Sequence, residues 1–239
     1  NQAVSLSSFE KRNFNLSGLA ADRSYIETIK SYPINIEVKT VKTYNASSPM
    51  PGSPAGGSFI PAAANAGAVT FELNTSILLL PKTPMGRRLF DSRVGYFADN
   101  FVEYSDDQQK VKNQVFAVRY RLEPKPQDLE KYKRGELVEP EKPIVFYIDP
   151  LTPKKWIPYL IQGVNDWQKA FEKAGFKNAI YAKVPNAKED PEWSLEDARF
   201  SAIVYNPSDV PNASGPSIAD PRTGEILESH IGWYHNIMS

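Results

Sequence analysis

Apolar and polar residues alternate along much of the first half of the chain. After Pro33, the residues Ile34, Ile36 and Val38 are separated by polar ones, the period-two sign of a half-buried strand. Val69, Phe71 and Leu73 alternate in the same way, and Ile77 to Leu80 continue as an unbroken apolar run. Residues 68–81 therefore read as one or two strands of the same sheet. Further on, Phe116, Val118, Tyr120 and Leu122 fall on one face, with Val115, Ala117, Arg119 and Arg121 on the other. Upstream, residues 24–32 (SYIETIKSY) read as a short helix. Residues 46–68 are rich in Pro, Gly, Ser and Ala, bury little, and read as a long flexible loop. Residues 82–101 mix turn signals with Leu89, Phe90, Val94, Tyr96 and Phe97, and no element stands out.

The pattern changes in the second half. Residues 123–142 are charged and Pro-rich and read as a linker with one helical turn at PQDLEKYK. A domain boundary is placed near residue 140. Residues 143–149 (PIVFYID) form a continuous apolar run of the kind buried on both faces of a sheet. Trp156, Leu160, Val164, Trp167, Phe171 and Ala174 then recur every three or four residues and predict an amphipathic helix. Pro153 and Pro158 fit only near its first turn, and Gly175 suits the position after its end. AIYAKV and ARFSAIVYN read as two further strands. Residues 215–238 read as two more strands about a turn at Asp220–Gly224. A strand, a crossover helix and a returning strand predict a parallel pair with a right-handed connection. The fold class is α+β, with a β-rich domain over residues 1–140 and a mixed sheet-and-helix domain over 141–239. No internal repeat is present.

Charge and composition narrow the function classes. The 28 basic and 28 acidic residues cancel, which argues against a general nucleic-acid or anionic-membrane surface. The apolar runs are too short to span a membrane, and no signal peptide is visible. The chain begins at Asn1 rather than Met, which reads as a processed or artificially set N-terminus. There is no cysteine, so disulfides, cysteine-based zinc sites, iron–sulfur clusters and cysteine nucleophiles are excluded. Only two histidines occur, His230 and His235. Read on one strand, their odd spacing points them to opposite faces, so they do not chelate one ion together. There is no G-x-S-x-G elbow and no phosphate-binding glycine loop. DPRTGE (220–225) has a passing likeness to a calcium loop but reads as a tight turn, because the alternating oxygen ligands are missing. Asn15, Asn45, Asn74 and Asn212 each open an N-x-[ST] triplet, and the Arg87–Arg88 pair reads as solvated surface.

The residues alone compose no complete active site. Three stretches of the second half, however, resemble the front part of a metzincin-type zinc metallopeptidase domain. PIVFYIDPLTPKKWIPYLIQGVNDWQKAFEKAGFKNAI is similar to its opening strand and first helix. DARFSAIVYN is similar to its third strand, and GPSIADPRTGEILESHIGWYHNIM to its edge strand and the strand that follows. SILLLPKTPMGRRLFDSRVGYF is similar to the β-rich domain of unknown function that precedes the peptidase in large secreted zinc-dependent metalloproteases of Bacteroidetes-type bacteria. The resemblance covers most of residues 30–239.

It implies a catalytic motif H-E-x-x-H-x-x-G-x-x-H shortly after the last strand, with three histidines on zinc and the Glu as general base. This sequence lacks that motif and stops at Ser239, about where its helix would begin. No catalytic residue and no metal ligand is carried over. The resemblance thus implies an exported fragment that is inactive by itself. Its full-length parent would use zinc and take a peptide or protein substrate. One role carries over to Gly215, Pro216, Ser217, Ile218 and Ala219, the edge strand that would pair with extended substrate by β-augmentation. A fragment is also expected to expose apolar surface around Trp156, Trp167 and Trp233, to be covered by the missing part or by a second copy. The alternatives are a non-enzymatic exported binding or scaffold protein, or an inhibitory or folding pro-segment formed by the β-rich half.

Overall fold

The computed structural model describes residues 6–46 and 66–238. The stretch read as a loop, 46–68, lies outside the described residues except at its ends. The chain divides into two compact units, residues 1–79 and 80–239.

The first unit is a three-stranded antiparallel sheet ordered β1 (Leu16–Ser31), β2 (Asn35–Ala46), β3 (Ala68–Leu78). A short helix, α1 (Ser8–Asn13), precedes it. Its capping box is complete: Ser7 Oγ accepts from Glu10 N, and the Glu10 carboxylate accepts from Ser7 N at 2.8 Å. Phe14 and Phe71 meet at 5.6 Å between ring centres, and Tyr44 is wholly buried, its hydroxyl accepting from Leu6 N. Residues 24–32, expected to be helical, are instead the end of β1 and the turn that follows. Tyr25, Ile26 and Ile29 are good strand formers, and pairing along β2 outweighs the local helical spacing. β1 changes register between Ala20 and Tyr25. There Ser24 Oγ donates to Ala20 O and accepts from Thr43 N, satisfying backbone groups that the ladder misses. The strand read from Ile34 to Val38 is present as part of β2.

The second unit holds a hairpin and a larger mixed sheet. The hairpin pairs β4 (Ala98–Glu103) with β5 (Lys112–Ala117). Residues 123–142, read as a linker, lie within this unit. They contain the short helix α2 (Leu129–Lys133), and Val138 bridges to Phe176. The larger sheet is built from β6 (Ile144–Ile148), β7 (Ile180–Lys183), β8 (Ser201–Asn206), β9 (Ala213–Ser214), β10 (Ser217–Ala219) and β11 (Ile226–Tyr234). Its order is β10-β11-β8-β6-β7, with β9 also pairing with β11. β7, β6, β8 and β11 run parallel, and β10 and β9 run antiparallel to β11. β6 is central and mostly buried, as its continuous apolar run predicts.

The predicted long helix is two helices, α3 (Ile157–Asn165) and α4 (Gln168–Lys173). At the break Trp167 N bonds Val164 O in the tighter i→i−3 pattern. That change of phase turns Trp167 off the core side, and it is 63% exposed. Ile157, Leu160, Ile161, Val164 and Phe171 pack instead against Ile144, Phe146, Ile148, Ile180 and Ile203. Gly175 follows the end of α4 at φ +94°, as the sequence predicts, and Phe176 N returns to Phe171 O in a Schellman closure.

Candidate functional site

β10 and β7 are the two edge strands of the larger sheet. Among the described residues β10 pairs only with β11, through Ser217↔Ser229, Ile218↔Glu228 and Ala219↔Ile226. Its outer edge therefore carries backbone groups without a ladder partner. A groove of about 350 Å³ runs beside it. Gly215, Ser217 and Ala219 form one wall, and Phe97, Ala98, Asp99 and Val118 form the other. The opposite wall is the start of β4, braced where Val118 N donates to Phe97 O at 2.8 Å.

Of the five residues singled out from the sequence, alternation brings three to the groove. Pro216 gives its carbonyl to Ser229 Oγ at 2.8 Å, and Ile218 is 42% exposed. The facing residues 97–99 were not legible as site residues. They lie over a hundred positions upstream, in a segment whose turn residues mask its alternation.

The turn between β10 and β11 is rigidly built. Asp220 is wholly buried, and its Oδ1 accepts from Arg222 N at 2.9 Å while the Arg222 side chain clasps both oxygens. These bonds hold the Asp220 carboxyl below the usual carboxylate range, against the opposing effect of burial. Arg222 Nη2 also donates to Pro81 O at 2.8 Å. Arg121 and Arg119 reach the carbonyls of Thr83 and Gly86, and Arg87 reaches that of Arg222. Arginine side chains thus fasten residues 81–87, which have no sheet ladder of their own. Gly224 sits at φ +76°, where an added Cβ would lie 2.6 Å from Ala117 O.

A second cavity of about 240 Å³ lies where the chain enters β6, β8 and β11. Glu225, Lys142 and Arg121 reach it between apolar walls. Burial pushes the Glu225 carboxyl up, partly opposed by Arg121. Burial likewise raises the Tyr120 phenol on the same cavity.

His230 pairs with Glu228 at 2.9 Å on β11. His235 lies in the 3-10 turn His235–Met238, beyond the strand, and its Nδ1 meets Tyr205 Oη at 2.8 Å. The opposite-faces argument therefore does not govern this pair, because only His230 is in the strand. Among the described residues no three of His, Cys, Asp and Glu gather as a metal site. Trp156 and Trp233 are half-buried and meet edge to face at 6.3 Å, while Trp167 is exposed. Among the described residues no helix is long and apolar enough to cross a membrane.

A family described as a domain of unknown function, DUF5117, matches residues 1–125. The chain belongs to the DUF5117 family. No curated protein and no solved structure matches it. The DUF5117 match takes in the first unit and continues into the second, so the Phe97–Asp99 wall of the groove is part of it.

Proposed function

We propose that residues 141–239, which hold the larger sheet of the second unit, are the amino-terminal part of an exported zinc metallopeptidase domain of the metzincin type. On this reading β10 aligns an extended peptide or protein substrate, and the DUF5117 region precedes the catalytic part. The sheet order carries the reading. The sequence resemblance runs opening strand, helix, strand, strand, edge strand, strand. Here the chain runs strand, two helices, strand, strand, a two-residue strand, edge strand and strand, and these strands form one sheet with β10 at an edge and the groove beside it.

The physics of recognition at such an edge is backbone pairing. Each exchanged hydrogen bond is worth about 1 kcal/mol net, so a three-residue strand gives register rather than tight binding. Selectivity then falls to the groove side chains, Phe97 and Asp99 among them. The described residues do not make up a zinc site, so no catalytic step is assigned to them. The zinc ligands and the general base belong, on this reading, to a downstream H-E-x-x-H helix.

The test is to express the whole reading frame that contains this chain and assay casein cleavage with and without a zinc chelator. Cleavage that the chelator abolishes and zinc restores is expected. Absence of chelator-sensitive cleavage counts against the proposal.

One observation favours a second reading, in which the DUF5117 region restrains the peptidase as an inhibitory pro-segment. Phe97, Ala98 and Asp99 line the same groove as Ser217 and Ala219 of β10. If they obstruct substrate, Phe97→Ala raises kcat/KM of the whole protein. If they only bind substrate, Phe97→Ala lowers it.

A further inference from the structure

The cavity at the start of β6, β8 and β11 is separate from the groove beside β10. Ile144, Phe200, Ile226 and Leu227 give it apolar walls. At about 240 Å³ it is below the size of pockets that take drug-like ligands, and it suits a molecule the size of one amino acid.

One of its charged groups is buried without a donor, and another lacks an ion-pair partner. Glu225 is buried, with its side chain 11% exposed, and its Oε2 has no hydrogen-bond donor among the described residues. Its nearest cation, Arg121 Nη1, stands 4.0 Å away, while Arg121 Nε is held by Glu123 at 3.1 Å. A buried acceptor left in this state costs about 1–3 kcal/mol, and such groups call for a partner. Lys142 is exposed and makes no ion pair among the described residues. The remaining cation on the wall, Arg199, is already committed to Asp197 and Glu192.

A buried carboxylate oxygen without a donor and a lysine without an ion-pair partner on one small, apolar-walled cavity match a zwitterion. An anion alone would leave Glu225 unmet, and a cation alone would leave Lys142 unmet. From this we propose that the cavity binds a free α-amino acid with an apolar side chain. Its ammonium donates to the Glu225 carboxylate, its carboxylate accepts from Lys142 Nζ, and its side chain lies against Ile226 and Leu227.

Isothermal titration calorimetry on this chain tests the assignment, with L-leucine, L-phenylalanine, N-acetyl-L-leucine and L-leucinamide as ligands. Saturable binding of L-leucine or L-phenylalanine is expected. N-acetyl-L-leucine, which lacks the ammonium, and L-leucinamide, which lacks the carboxylate, should each bind at least tenfold more weakly than L-leucine. Glu225→Gln and Lys142→Met should each weaken amino-acid binding at least tenfold. Lys142 is exposed, so its variant keeps the test open should Glu225→Gln fail to fold. If neither amino acid gives a saturable signal, the cavity holds water only and the proposal is overturned. Equal binding of the capped ligands, or binding indifferent to Lys142→Met, overturns it as well.

Discussion

Asp91, Asp197 and Asp220 each accept a hydrogen bond from the backbone N–H two residues ahead, and the arginine at that position closes on the same carboxylate. The device fixes a turn with one residue pair, and at Asp197 and Asp220 it lets a carboxylate be wholly buried. It also explains why DPRTGE is a turn rather than a calcium loop, since both Asp220 oxygens are already spent on Arg222. Asp220→Asn should cost about 2 kcal/mol in urea unfolding. That is less than the roughly 3–5 kcal/mol of a fully buried pair, because a third of Arg222 is exposed. Gly224→Ala should cost about 2–3 kcal/mol by the same measurement, combining a positive φ with the collision at Ala117 O. The two carboxyls at this corner act in opposite directions with pH. The Asp220 pKa is depressed in the folded state, so its contribution is present above the unfolded pKa and lost as pH falls through the folded one. The Glu225 pKa is raised, so the folded state loses stability as pH rises from the ordinary carboxylate value through the raised one. Urea midpoints followed from acid to neutral pH should therefore lose part of their acid-side fall in Asp220→Asn. In Glu225→Gln they should lose part of their decline toward neutrality.

At the scale of elements, the sequence displays strands whose burial matches their pattern and hides those that depend on partners. β6 and β8 are legible because central parallel strands need continuous apolar runs, and PIVFYID and SAIVYN are such runs. β1 is not legible at SYIETIKSY, since its helix-like spacing is overridden only by pairing with β2. β4 is hidden because Phe97 and Val102 stay exposed and Asp99 and Asn100 look like turn residues. The α3–α4 break is also silent in sequence, as Asp166 and Trp167 fit a helix. It has a measurable consequence. Val164→Ala, on the core side, should cost roughly 2 kcal/mol. Trp167→Ala should stay within about 0.5 kcal/mol, although both positions belong to the same predicted stripe. Of the candidate site, β10 was legible through its resemblance and its turn, while the facing wall was not. Nothing local in residues 97–99 tells which distant strand they will face.

For the whole molecule, residues 80–119 belong structurally with the sheet that follows them. Arg119, Arg121 and Arg222 grip the carbonyls of residues 81–86, and Arg119 pairs along Glu225. A polypeptide starting at residue 80 should keep the circular dichroism and cooperative unfolding of the second unit. One starting at residue 126 should lose cooperativity, because it lacks β4, β5 and the Arg119 backbone that pairs with Gly224 and Ile226. The wider claim is that this sheet is the front of a zinc peptidase, and its evidence would be encoded next to it. The most direct measurement is the sequence of the reading frame downstream of Ser239. The account predicts H-E-x-x-H-x-x-G-x-x-H within a few tens of residues. A reading frame that ends there, or continues without an H-E-x-x-H, contradicts it.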